Sequence, residues 1–301
     1  MVEQPPLKPR RGHTARRAAA ITALLVGLLV VGAIAWQVSA HTGTSSPPPP
    51  PPPTTTSPPP QKVLHIVFPE GFTIRDMAAR ITAVDKIAES KRKVTPRLSA
   101  KAYLRAVATM QLPPAFKSFG RPKSLEGFLF PATYAFTKTT TGEQLVGQQL
   151  QAFQRAWAHL DLAYARQKNL TPYDVLIIAS MIEKEVVAPK ERPLVAAVIY
   201  NRLHVGFPVG IDATLRYGLH IPPTEAIHLS QLESDNPYNT RKFAGLTPTP
   251  IANPGLASMQ AAAHPAHVDY LYFVRKPDCK HHFFTANEQQ FLNYPRAGLS
   301  C

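Results

Sequence analysis

Residues 171–187 read TPYDVLIIASMIEKEVV, and this stretch predicts a helix with two acids at its carboxyl end. Thr171 is the cap, Pro172 takes the first turn, and Asp174 faces the helix dipole at the third position. With residues spaced at about 100°, the apolar centre falls near Val175, Ile182 and Val186, and Lys184 points directly away from it. Glu183 and Glu185 flank that centre on opposite sides, Glu185 beside Ile178 and Met181, Glu183 beside Leu176 and Ala179. Both carboxylates are expected to be half-buried. Burial disfavours the charged form and raises a carboxyl pKa, as a general acid working near neutral pH requires. The same pattern also fits two solvated acids at a helix end, one of them paired with Lys184 or Lys190.

On the amino-terminal side of this helix, residues 125–134 read LEGFLFPATY, dense in aromatics and with one acid, Glu126. A long helix is expected from residue 142 to about 165. On the carboxyl side the chain beyond Pro208 is rich in Pro, Gly and Asn. Residues 270–274 (YLYFV) read as a buried strand, and His282, Phe283 and Phe284 as its hairpin partner. Residues 63 to about 114 read as a small α+β unit. A short strand comes first, apolar at nearly every position and so expected to be buried, then a turn at Pro69-Glu70-Gly71. A helix capped by Thr73 follows and runs through Ile74, Met77, Ala78 and Ile81, and a second helix starts near Ser99. This order resembles a LysM-like module, a fold that binds N-acetylated glycans.

The remainder of the chain is of different composition. Ten of the 32 prolines fall between Pro47 and Pro60. Proline runs are extended and stiff, at about 3.1 Å per residue, so residues 41–61 read as a stalk or linker. Before them lie 19 residues without a charge, 18–36, preceded by Lys8, Arg10, Arg11, Arg16 and Arg17. At about 1.5 Å per residue such a run just crosses a hydrocarbon core of about 30 Å. The positive-inside rule then puts the amino terminus in the cytoplasm. A cleaved signal peptide is the competing reading, with Val38-Ser39-Ala40 as the cleavage site, but the run exceeds the usual apolar region of roughly 7–15 residues. Either way residues 41–301 are exported. The expected organisation is a basic tail (1–17), a transmembrane anchor (18–40), a proline-rich linker (41–61), a LysM-like subdomain (62–120) and a helix-plus-sheet catalytic domain (121–301). The fold class is α+β.

The net charge is +14, which suits an anionic partner such as acidic lipid or a cell-wall polymer. No recognition helix, zinc-finger spacing or RNP motif is present, which argues against nucleic acid. The two cysteines, Cys279 and Cys301, are too far apart for a CxxC motif; in an exported domain they could form one disulfide, or stay as two free thiols.

Eight short motifs occur in one order between residues 121 and 291. They are Leu125-Glu126-Gly127-Phe128-Leu129-Phe130-Pro131; Ala179-Ser180 with Glu183-Lys184-Glu185; Tyr200-Asn201-Arg202-Leu203; Asp212-Ala213-Thr214 with Tyr217-Gly218; Tyr238-Asn239-Thr240; Gly245-Leu246-Thr247-Pro248 through Asn253-Pro254-Gly255; Ala261-Ala262-Ala263-His264-Pro265; and Leu271-Tyr272-Phe273-Val274. In this order they resemble the endolytic murein transglycosylase (YceG-like) family. The resemblance implies a membrane-held enzyme of the extracytoplasmic space that cuts nascent peptidoglycan strands between MurNAc and GlcNAc, leaving 1,6-anhydro-MurNAc ends. The catalytic acid carries over to Glu185. Asn201, Asp212, Thr214, Tyr238, Asn239 and Thr240 carry over as candidate substrate contacts, although Asn239 sits in a string that also reads as a turn and Asp212 could be a second carboxylate or a loop cap. Metals and organic cofactors are not expected, and peptidoglycan synthases are implied as partners. The sequence departs from the family's pattern at Gly210, Ala213 and Gln290. Those departures keep two rivals open: a non-catalytic wall-binding scaffold, and a two-carboxylate muramidase using Glu185 with Asp212 or Glu183.

Overall fold

Three helices open on the same local device. In the computed structural model, which describes residues 61–116 and 124–295, a threonine hydroxyl accepts the N–H three residues on, and the side chain there returns a bond to the threonine N–H. The pairs are Thr73 with Asp76, Thr141 with Gln144 and Thr171 with Asp174. They open α1 (Ile74–Arg92), α3 (Gly142–Trp157) and α5 (Pro172–Glu185). Ser99 caps α2 (Ala100–Thr109) through the Ala102 N–H.

The first strand, β1 (Leu64–Val67), pairs antiparallel with β2 (Thr133–Phe136), Leu64 opposite Phe136 and Val67 opposite Thr133. The strand–helix–helix–strand unit therefore closes across residue 120, and the division expected there falls inside this pairing. β1 is not buried on both faces as its apolar run implied. Ile66 and Phe68 are buried, whereas Val67 is 51% exposed, because a two-stranded sheet has one face to cover and here α1 packs against it. The helix expected to run to residue 165 stops at Trp157, and α4 (Ala163–Gln167) starts afresh. Asp161 accepts the Ala163 N–H at 2.8 Å, offering the backbone a local alternative to continuing the helix.

The sequence's aromatic string forms the heart of the core. Phe128 meets Phe116 edge-on at 4.9 Å and Phe153 at 5.2 Å, with Trp157 and Tyr173 completing the cluster. Against it lies α5, buried from Tyr173 to Ile182 apart from Asp174. The helical wheel gave α5 one apolar face; in fact its middle is enclosed on every side. α6 (Arg192–His204) and α9 (Leu256–Ala263) pack on it, and Tyr200 donates to the Ala262 carbonyl at 2.9 Å. α7 (Asp212–Leu219) and the short α8 (Leu229–Leu232) follow α6, and the hairpin of β3 (Tyr272–Arg275) and β4 (His282–Thr285) comes before α10 (Glu288–Asn293). The hairpin pairing matches the expectation, but β3 is only half-buried along its length.

Among the described residues no helix is long and apolar enough to cross a membrane. The basic tail, the expected anchor at residues 18–40, the linker up to residue 60 and Cys301, on which the alternatives for Cys279 turn, lie outside the described residues.

Candidate active site

The last turn of α5 is where this buried helix reaches solvent, and it opens on a cleft of about 1150 Å³. The three residues of that turn go to three places. Lys184 is exposed and donates to the Gly71 carbonyl at 3.2 Å. Glu183 turns toward the start of α9 and accepts the Gly255 N–H at 3.0 Å. Glu185 lines the cleft. Part of its surface faces the opening, yet enough protein surrounds it that burial pushes its pKa up to about 7. Arg275 and Arg241 pull the other way, and the Asp212 charge adds to the rise.

A loop of residues 245–255 fixes α5 against the amino-terminal unit. Ser180 accepts the Ile251 N–H at 3.0 Å while donating to the Ile177 carbonyl at 2.7 Å. Asn253 exchanges backbone bonds with Gly71 and Phe72, and its side chain takes the Gly127 and Leu129 N–H groups, both at 2.9 Å. Behind the cleft sits Glu126, only 3% exposed. Burial pushes its pKa up to about 8 against hydrogen bonds from the Ile74 N–H, Tyr217 and Asn253, and the Asp76 charge adds to the rise. Tyr217, which does line the cleft, donates to it at 3.2 Å. Gly127 has φ +90°, and a Cβ there would sit 2.6 Å from Pro250, so the string LEGF admits no other residue at that position.

The far wall is held by β3 and β4. The buried Glu191 accepts from His282 at its backbone N–H (3.1 Å) and at Nδ1 (2.7 Å). Burial lowers the pKa of His282 while Glu191 opposes the change. His282 lies opposite Arg275 in the hairpin register, and Arg275 donates to the Glu185 carbonyl at 3.5 Å.

Of the seven residues singled out from sequence, Glu185 and Asp212 line the cleft. Asp212 is paired with Arg241. The others hold the loops around it. Asn201 donates to the Val268 and Tyr270 carbonyls, both at 2.9 Å. Asn239 is fully buried and donates to the Leu232 and Ser234 carbonyls. Thr214 and Thr240 share a hydroxyl contact of 2.8 Å, and Thr240 also accepts the Ile211 N–H. Tyr238 meets Thr249 at 2.8 Å and packs its ring on Tyr217.

The departures from the family's pattern have places too. At Gly210, φ is +71° and a Cβ would lie 2.7 Å from Arg202 Nη1, so the glycine leaves room for that guanidinium. Ala213 lines the cleft in the first turn of α7. Gln290 lies in α10 and accepts from Thr285 at 2.7 Å.

What residue-by-residue reading missed is the basic wall: Arg75, Lys184, Arg202, Arg216, Arg241 and Arg275 all line the cleft. Lys184, Arg202 and Arg216 stand inside the quoted motifs, and Arg241 and Arg275 directly follow two of them. Motif edges were the available signal.

A half-buried acid of raised pKa, delivered by a buried helix to a broad polar cleft, defines the candidate active site of an acid–base enzyme. Residues 54–296 match the model of the YceG-like family, and the chain belongs to that family. It is similar to a protein of Bacillus subtilis (strain 168) named endolytic murein transglycosylase, at 33% identity over 218 residues, 70% of this chain and 59% of that one. A protein of the same name from Streptococcus pneumoniae (strain ATCC BAA-255 / R6) is 32% identical over 229 residues, 69% of this chain and 40% of its own. The chain thus spans roughly two to three fifths of these relatives. A crystal structure of a yceG-like protein from Listeria monocytogenes superposes with a TM-score of 0.61 at 28% identity, covering 75% of this chain and 74% of that one.

Proposed function

We propose that this protein is an endolytic peptidoglycan lytic transglycosylase that cuts nascent glycan strands. The observation that carries this reading is Glu185, a carboxyl with its pKa raised to about 7 that faces the cleft from the end of α5. In that state it can give its proton to the oxygen bridging MurNAc and GlcNAc. The carboxylate left behind accepts the proton of the MurNAc 6-hydroxyl as that oxygen attacks C1. One group acts as acid and then as base, the bridging bond breaks, and no water is consumed. The 1,6-anhydro end is the product. The names of the relatives, endolytic murein transglycosylase, support the same reading.

A second reading draws on Asp212, which lines the same cleft. Hydrolytic glycosidases use two carboxylates, and Asp212 with Glu185 would make a muramidase. Mass spectrometry of peptidoglycan digested by the purified protein separates the two: anhydro ends support the transglycosylase, reducing ends support the hydrolase. No cut at all would leave a wall-binding scaffold.

The protein is further proposed to be held by residues 18–40 in the cell membrane, amino terminus inside, with the folded part outside and near peptidoglycan synthases. The uncharged run after a basic cluster supports this. Intact-mass analysis of membrane-extracted protein should show residues 1–40 attached; a mature terminus at His41 would make it a secreted enzyme.

A further inference from the structure

We propose that the cleft selects glycan strands that still carry their peptide stems, by pairing stem carboxylates with the guanidinium groups of its wall. This rests on the reading of the cleft as the place where glycan is cut. Among the described residues, six lysine and arginine side chains line it, against three acids, Asp76, Glu185 and Asp212. Two of those acids are already engaged: Asp76 by the Thr73 N–H and hydroxyl, and Asp212 by Arg241.

Arg202 and Arg216 are oriented, and among the described residues no carboxylate is paired with either. Arg202 donates to the carbonyls of Leu271 (2.6 Å), Val209 (2.8 Å) and Pro208 (3.2 Å). Arg216 donates through Nη1 to the carbonyls of Pro222 and Glu225, both at 2.8 Å. A carbonyl fixes a guanidinium and leaves its full charge in place, so each planar fork is set before an anion arrives. The positive charges also oppose one another. Burial lowers the pKa of Arg202, Tyr272 works against that change, and Arg241 adds to it.

The sugar rings of a strand offer hydroxyl and N-acetyl groups, which need no cations. The anions of a nascent strand are the carboxylates of the peptide carried on each MurNAc lactyl group, and the diphosphate at its lipid end. The stem recurs at every second sugar, so it alone lies beside a cut made anywhere within the strand.

The test uses the full chain in detergent with two polymers: strands with native stems, and the same strands with stem carboxylates converted to carboxamides. The wild type should cut the native strands with a kcat/KM at least about tenfold higher, mostly through KM, as expected for charge-assisted bonds. Arg216→Gln should bring that ratio within about threefold, and Arg75→Gln, at an exposed position of the same wall, should lower it without touching the fold. Equal cutting of both polymers by the wild type would overturn the proposal, as would a ratio unchanged in both variants. If removing the terminal diphosphate slows cutting and amidating the stems does not, the wall reads phosphate and the proposal fails. If the wild type cuts neither polymer, the assignment of the cleft itself fails, and this inference with it.

Discussion

The side-chain amide of Asn253 donates to the Glu126 carboxylate at 2.8 Å, across 127 positions of sequence. The same side chain donates to the Phe72 carbonyl and accepts from two N–H groups of the LEGFL string. Three remote segments are thus joined at one fully buried residue behind the cleft. Asn253→Ala should lower the unfolding free energy by about 2–4 kcal/mol, since several buried groups lose their partner at once. Urea unfolding followed by circular dichroism measures it, and a loss under about 1 kcal/mol would mean that water replaces the amide.

Glu183 and Glu185 stand two residues apart and serve different surfaces. Glu185→Gln keeps the shape, removes the transferable proton, and should lower product formation by about 10²–10⁴-fold. Glu183→Gln still presents an acceptor to the Gly255 N–H and should lose far less. Product assays on the two purified variants decide the assignment, and the reverse order of activities would move the catalytic role to Glu183.

Activity should fall as pH rises through about 7, where Glu185 gives up its proton. Arg275 lowers that pKa, so Arg275→Gln should move the alkaline limb of kcat/KM to higher pH. Asp212 raises it, so Asp212→Asn should move the limb to lower pH. Initial rates across pH 5–9 test both signs, and a limb that moves the same way in both variants would contradict the electrostatic account.

The raised pKa also bears on stability. A carboxyl whose folded pKa lies above its unfolded value of 4.5 contributes fully below 4.5, and that contribution is lost as pH rises through about 7. Glu185→Gln is neutral throughout. It should match the wild type below pH 4.5 and be the more stable by up to about 3 kcal/mol above pH 7. Paired thermal melts at pH 4 and pH 8 check this; equal melting temperatures at pH 8 would show that solvent reaches the carboxylate in the folded state.

Two glycines should respond in opposite directions. Gly127→Ala forces a Cβ into Pro250 at φ +90° and should cost about 2 kcal/mol or more. Gly147 lies inside α3, and a Cβ there meets nothing nearer than Met110 at 3.9 Å. Gly147→Ala should stabilise by about 0.5–1 kcal/mol. Denaturation midpoints of both variants are the measurement.

The start of α5, its Thr171–Asp174 cap, the Thr73 cap, the helix start near Ser99 and the β3–β4 hairpin were all legible in the sequence, because each depends on groups within a few residues of one another. The order of the motifs was legible too, and with it the family. The sequence also implied more helix after Trp157 and two buried faces for β1. Asp161 and the narrowness of a two-stranded sheet decided otherwise. Which acid would face the cleft depended on the 245–255 loop and on α9, which draws Glu183 to the Gly255 N–H and leaves Glu185 open. The basic wall was likewise a product of assembly. Arg75 comes from α1, Arg202 from α6, Arg216 from α7, Arg241 from a loop and Arg275 from β3. Local hydrogen bonds and periodicity act over one turn or one hairpin, whereas a cleft joins the ends of elements whose separation in sequence carries no such signal.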